Sequence, residues 1–415
     1  MSDSRSGGGS PDSPPEPRAA SDRIVIAGGG FAGLYTALAL AARRHHPPVL
    51  LIEPNERFVF LPLLYELLSG ELRRWEIAPP YAALLAGRGV ALLQDRVVKV
   101  DTTARRLQTA TGRPLAYGRL VLATGARGET FGVEGADRHA LGFRNLNDVD
   151  RLASLVRELG RPPGHGGRLA VVGAGASGVE LACKLADLLA GQAGIELIEQ
   201  GSTALPQARA FNREQGLRAL ERRQVRLRLH TTVTAVGADR LLLRHGGAGA
   251  GGRDADDTLP VAATIWTAGL RMQPPLLEPE PPRDRLGRLR CRPDLRLEGL
   301  EEVFAAGDGA LVPADPDDPA AGALPPNAQV AFQQAPLLAS NLLRSLAGEP
   351  LEPFRFRDLG EMLSLGRGEA SLSSGGITLA GPLAFQLRRL AYLTRLPGRQ
   401  QQLRVAAGWL AEGSA

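Results

Sequence analysis

The chain has 415 residues, 44% apolar and 22% charged, with 49 basic against 44 acidic side chains. This is the composition of a folded protein long enough for two domains with separate cores, and it excludes a disordered tail or a fibrous repeat. No stretch nears the ~18 uninterrupted apolar residues of a spanning helix, and no basic segment followed by an apolar one opens the chain, so transmembrane and secretory classes are not expected.

Residues 1–21, rich in Gly, Pro, Ser and Asp, bury too little apolar surface to offset ordering and are expected to be a disordered leader. Arg23 to Ala27 then reads as a buried strand, Gly28 to Gly33 as a turn, Leu34 to Arg43 as a helix and Val49 to Glu53 as a second strand. The same β-α-β pattern returns at Arg168 to Val172, Gly173 to Gly178, Val179 to Leu189 and Ile195 to Glu199, the one internal repeat of the sequence. Tyr117 to Ala126 and Ala263 to Gly269 each read as a strand feeding a glycine turn that closes its own unit. Gly246 to Gly252 reads as a hairpin tip and Pro313 to Pro326 as a surface loop. The division expected is a first nucleotide-binding part over 22–145, a second domain over 146–275, the return of the first over 276–345, and a C-terminal region over 346–415.

The chemistry lies in the two repeats. Gly28-x-Gly30-x-x-Gly33 follows a strand and opens a helix, with Glu53 twenty residues beyond. The first glycine permits the tight turn, the second lets the backbone approach a pyrophosphate, and the third lets helix and strand pack closely. The helix N-terminus favours phosphate charge, and the acid can accept from a ribose hydroxyl. Gly173-x-Gly175-x-x-Gly178 repeats the pattern with Glu199 behind it. Two such units predict two dinucleotides held face to face, most simply FAD and a nicotinamide, with their reacting atoms ~3 to 3.5 Å apart. The segment Leu300 to Asp308 is similar to the second FAD motif of two-dinucleotide flavoproteins, which assigns FAD to the first unit and gives Asp308 the ribityl chain. The alternative for Asp308 is a simple turn aspartate.

At the second unit, Glu199 followed by Gln200 favours the 2′-hydroxyl of NADH over the 2′-phosphate of NADPH, although Arg209 or Arg213 lies close enough in sequence to meet a phosphate. Glu180, read on the first helical turn, is either a nicotinamide-placing carboxylate or simple helix-start chemistry. The two cysteines, Cys183 and Cys291, give no disulfide framework, no zinc spacing and no C-x-x-C pair, so a reducing compartment is expected. The first unit contains no cysteine, so the electrons must pass directly from the flavin to a second substrate. The six histidines are read as surface residues, and no metal site is expected.

These residues resemble the type II NADH dehydrogenases, single-chain FAD enzymes that reduce membrane quinones. The resemblance rests on both glycine motifs, on Ala123-Thr124-Gly125, on Trp266 to Gly269, on Ala306-Gly307-Asp308 and on Asn327 to Gln334, which is similar to that family's A-Q-x-A-x-Q quinone motif. It implies an α/β fold of two Rossmann-like domains, with FAD at Gly28, Gly30, Gly33, Glu53, Thr124, Gly125 and Asp308. It implies NADH or NADPH at Gly173, Gly175, Gly178, Glu199 and Gly269, with Glu180, Gln329 and Gln333 as catalytic candidates. Gln329 and Gln333 are four apart, so both amides share one helix face and can reach a quinone carbonyl; a polar surface stripe is the alternative. The run Arg57 to Leu72 with Trp75 to Pro79 resembles the cyanobacterial and plastid demethylphylloquinone reductase branch. That branch implies a naphthoquinone acceptor, with plastoquinone as the alternative. Leu61 stands where several relatives are polar. A ferredoxin-type reductase and an NADH-sensing flavoprotein are the rival functions.

Arg388, Arg389, Arg395, Arg399 and Arg404 lie between Gly381 and Ala411 without an acidic residue, and without them bases and acids balance at 44 each. The excess charge is a local docking patch, not a nucleic-acid surface. On a helix, Leu383, Leu387 and Leu390 share one face and Phe385, Tyr392 and Leu396 another, with Arg388 and Arg389 flanking; beyond Pro397-Gly398 a further apolar face holds Leu403, Ala407, Trp409 and Leu410. This predicts an interfacial membrane attachment on the cytoplasmic face, with packing between domains or in a homodimer as the alternative.

Overall fold

Unbroken apolar runs mark strands covered on both faces, and the computed structural model, which describes residues 22–160, 167–246 and 255–412, builds two parallel sheets from such runs. The first contains β1 (Ile24–Ala27), β2 (Val49–Ile52), β3 (Val90–Leu93) and β4 (Arg119–Leu122). Its fifth strand comes from the distant segment Val303–Ala305, giving an order in which β1 is central, flanked by β2 then β3 on one side and by β4 then Val303–Ala305 on the other. All four residues of β1 are buried, and α1 (Phe31–Ala41) covers one face of the sheet.

The chain leaves this domain through β5 (Ala126–Gly128) and returns through Leu270–Met272, which pairs with it antiparallel. Between them lies the second sheet. Its central strand is β6 (Arg168–Val172), flanked by Gly194–Ile198 then Arg226–Arg228 on one side and by Ala263–Trp266 then Ala140–Leu141 on the other. The sheet therefore begins upstream of residue 146. Helix α2 (Ala176–Leu189) is the counterpart of α1. The leader and most of the Gly246 to Gly252 tract lie outside the described residues; the flanking strands Arg240–His245 and Ala255–Pro260 pair antiparallel.

Both crossover helices start three residues earlier than the sequence suggests. Gly30 and Gly175 are extended N-caps without a capping side chain, so the second half of each glycine motif is already the first helical turn. Glu180 consequently sits in the second turn of α2, beyond the reach of the terminal dipole.

After α3 (Ala328–Ala347), which packs on α1, the chain forms an antiparallel three-stranded sheet over Glu361–Gly381 and two helices, α4 (Pro382–Leu393) and α5 (Arg399–Glu412). The two faces read from the sequence are both present: Phe385 and Leu396 are buried, whereas Leu383, Leu387, Leu390, Leu403 and Leu410 are exposed. One expectation fails. Arg388, counted in the exposed basic patch, is 1% exposed, because its position on α4 faces inward onto a buried carboxylate.

Candidate functional site

The glycine motif of the first domain opens a cavity of about 720 Å³. Gly28, at φ +102°, lies so close to the next strand that a Cβ there would fall 2.3 Å from the Ala123 carbonyl oxygen; Gly33 is equally tight against the Gly28 carbonyl, at 1.9 Å. A Cβ on Gly30 would instead meet nothing within 4 Å. The first two glycines of contact thus draw backbone together while Gly30 leaves open space beside uncapped helical N–H groups, a fit for a pyrophosphate. Glu53 is buried; its Oε2 accepts from the Gly29 N–H at 2.7 Å and its Oε1 from Asn55. Tyr81 donates to the Gly29 carbonyl at 2.7 Å. Thr124, Gly125 and Asp308 line the far side of the cavity with Arg144, and burial raises the Asp308 pKa while Arg144 opposes that rise. The sequence reading missed Gln334: it is buried, and its Oε1 accepts from the Gly307 N–H at 2.7 Å, fixing the residue before Asp308.

The second domain repeats the cradle. Cβ atoms on Gly173 and Gly178 would fall 2.9 Å from Ala268 Cα and 1.8 Å from the Gly173 carbonyl, while Gly175 again faces open space. Glu199 accepts from Ala174 N–H and Gly201 N–H, both at 2.8 Å, as Glu53 does from Gly29. Thr267 donates to the Val172 carbonyl at 2.8 Å, which seats the Gly269 turn against the glycine motif. Arg209 and Arg213 are both engaged elsewhere. Arg209 pairs with Asp358 at 2.6 Å, and Arg213 donates to the carbonyls of Leu205, Pro206 and Ala208.

A second cavity of about 390 Å³ adjoins the first, and Phe31, Pro62 and Ala328 line both. Its lining mixes aromatic side chains, among them Phe60, Phe332, Phe356 and Tyr392, with polar ones such as Asn327, Gln329 and Arg395. Leu61 faces the larger cavity. Gln329 and Gln333 share a helix face as the spacing predicts, but their amides are occupied. Gln329 accepts from Leu359 N–H at 2.7 Å and donates to the Gly360 carbonyl at 3.1 Å; Gln333 accepts from Arg357 N–H at 3.1 Å and donates to its carbonyl at 2.8 Å. Both therefore anchor the 357–360 segment that closes the smaller cavity.

Glu180 belongs to a buried ionic cluster that draws on both domains and the C-terminal region. Its Oε1 accepts from Ser364 N–H at 2.8 Å and stands 4.0 Å from Arg388. Arg388 pairs with Glu66 at 2.6 Å and donates to the Pro62 carbonyl at 2.6 Å. Lys184 lies 3.8 Å from Glu66 and bonds Glu71. Burial pushes the Glu180 pKa up to about 7, against the pull of Arg388. Burial likewise holds the Cys183 thiol up at about 12, so it is no thiolate at neutral pH. The sequence did carry a signal for Glu66: a lone acid inside Leu63-Leu64-Tyr65-Glu66-Leu67-Leu68 requires a buried partner.

Residues 22–335 match the family model of pyridine nucleotide-disulphide oxidoreductases. The chain is 39% identical to a demethylphylloquinone reductase of Synechocystis sp., over 94% of this chain and 95% of that one. It is 34% identical to an alternative NAD(P)H-ubiquinone oxidoreductase of Arabidopsis thaliana, over 94% and 81%. Its fold superposes on NDH2 from Plasmodium falciparum in complex with NADH with a TM-score of 0.80 at 17% identity, covering 92% and 96% of the two chains.

Proposed function

This chain belongs to the pyridine nucleotide-disulphide oxidoreductases and, within them, to the type II NADH:quinone oxidoreductase family, and on that premise we propose that it carries electrons from NAD(P)H to a membrane quinone. FAD, when bound in the larger cavity, would supply the redox chemistry that links hydride donation by NAD(P)H to two-electron reduction of the acceptor. Gly28, Gly30, Gly33, Glu53, Thr124, Gly125 and Asp308 hold the FAD, and Gly173, Gly175, Gly178, Glu199 and Gly269 hold the nicotinamide nucleotide. Glu199 at the strand end, with Arg209 and Arg213 both occupied, supports NADH over NADPH. Glu180 places the nicotinamide and, with its raised pKa, holds a proton near neutral pH.

The observation that carries the reading is the shared wall of Phe31, Pro62 and Ala328, which sets a cavity lined in part by aromatic rings next to the larger one. Such a cavity suits a quinone ring. Gln329 and Gln333 act on it chiefly by holding its 357–360 side in place. The relative from Synechocystis supports a demethylated naphthoquinone as acceptor. No helix among the described residues is long and apolar enough to cross a membrane. The exposed Leu383, Leu387, Leu390, Leu403 and Leu410, beside Arg399 and Arg404, support peripheral attachment through α4 and α5; the face contacted is the cytoplasmic one in this reading. A homodimer contact is the competing use of that surface.

Anaerobic stopped-flow tests the reaction. NADH should bleach the flavin faster than NADPH, and a demethylated naphthoquinone should reoxidise it faster than plastoquinone or a soluble iron-sulfur acceptor. Slow reoxidation by every quinone overturns the reading. Flotation with anionic vesicles tests attachment: replacing Leu383, Leu387 and Leu390 by Gln should lower bound protein at least tenfold, since each half-buried leucine contributes about 1 kcal/mol. Undiminished flotation removes α4 from the attachment surface.

A further inference from the structure

Among the described residues, three bulky apolar side chains sit on left-handed backbone: Leu205 at φ +54°, Leu295 at φ +73° and Phe131 at φ +55°. Large side chains avoid that region unless their surroundings compel it. For Leu205 and Leu295 the compensation is visible, since both are buried in the core. Phe131 is 66% exposed. Its strain is held in place without the ring being covered.

The turn that carries it is firmly fixed. The Phe131 N–H donates to the Glu129 carboxylate at 2.9 Å, Trp266 Nε1 donates to the Glu129 carbonyl at 2.9 Å, and Arg271 pairs with Glu129 at 3.2 Å. Thr130 donates to Asp137 at 2.7 Å. The ring lies against Gly269, where a Cβ would fall 2.4 Å from Phe131 Cζ. Gly269 adjoins Ala268, which meets Gly173 of the second glycine motif, and ligands of parallel α/β sheets bind outside the carboxyl ends of such strands. A rigid turn thus presents an uncovered aromatic face at the mouth of the second cradle.

We propose that Phe131 is a binding residue for the nicotinamide dinucleotide, its ring packing against the bound molecule where it passes Gly269. The inference rests on the assignment of NAD(P)H to the second domain and adds a contact outside the glycine motif. It also accounts for the strain: the left-handed turn keeps the ring exposed against Gly269 and out of the core, and the apolar surface is covered when the dinucleotide is bound.

The test uses FAD-loaded protein and tetrahydro-NAD, which has the shape of NADH but no hydride to give, with calorimetric Kd and thermal Tm as readouts. Phe131→Asn, whose side chain suits left-handed backbone, is expected to weaken Kd about tenfold with Tm unchanged or raised. Phe131→Tyr keeps the ring face and is expected to stay within about twofold of the parent in Kd. An unchanged Kd in Phe131→Asn overturns the proposal, as does equal weakening in Asn and Tyr variants. Failure of the unaltered protein to bind tetrahydro-NAD overturns instead the assignment of the second cradle, and this proposal with it. Quinone specificity affects none of these readouts, so a failure of the quinone reading alone leaves them intact.

Discussion

The two dinucleotide cradles have nearly the same backbone and different walls. Each places a glycine against the next strand, leaves its middle glycine facing open space, and returns a strand-end glutamate to the N–H that follows the first glycine. At the first residue of the helix, however, one has Phe31 and the other Ala176, and four residues on, Tyr35 stands where the other has Glu180. Phe31 and Tyr35 belong to an aromatic cluster with Phe58, Phe60 and Phe332; Glu180 belongs to an ionic one. The shared backbone motif therefore sits beside an aromatic cluster in one domain and an ionic cluster in the other.

The sharpest way to break this comparison is a matched pair at the middle glycines. Gly30→Ala and Gly175→Ala introduce a methyl group into open space at ordinary backbone angles, so both proteins should fold. Gly30→Ala is expected to be purified with most of its flavin absent by absorbance. Gly175→Ala should keep its flavin and raise the KM for NADH about tenfold or more, a loss of about 1.4 kcal/mol or more. If both variants lose flavin, or neither loses a ligand, the cradles do not divide the two nucleotides as assigned.

A smaller effect sharpens the contrast at the outer wall. The pKa of Glu180 is raised by burial from 4.5 to about 7, so the folded protein binds a proton there that the unfolded chain releases. Stability then falls as pH rises from 4.5 to 7 and the loss is complete above that window. Glu180→Gln should therefore be the more stable protein above pH 7, by an amount on the order of 2 kcal/mol, with the difference closing near pH 4.5. Denaturant unfolding across that range checks it. A difference that does not change with pH would show that Glu180 is not held with a raised pKa.

Both nucleotide folds could be read from the sequence because the relevant physics is local: a buried strand, a glycine turn and a helix within a few tens of residues. The amphipathic faces of α4 were readable for the same reason. Periodicity, however, assigns a residue to a face without saying what that face meets. The sequence counts Arg388 in the basic patch because nothing near it in the chain reveals its partner, Glu66, which lies in another domain, 322 residues away. Gln329 and Gln333 were correctly placed on one face, yet their partners are backbone groups of 357–360, whose approach no side-chain pattern records. The left-handed backbone at Phe131 leaves no mark in composition.

The strand Val303–Ala305, which completes the first sheet beside β4, imposes an order of events on the ribosome. The second domain's sheet is drawn from one continuous stretch, Ala140 to Trp266, and has all its strands as soon as that stretch has emerged. The first domain begins earlier but must wait for its last strand, for Asp308 and for the helix that carries Gln334. Domains usually form as units during synthesis. Here the unit begun first is finished last, and the first cradle is complete only after the whole second domain has been made.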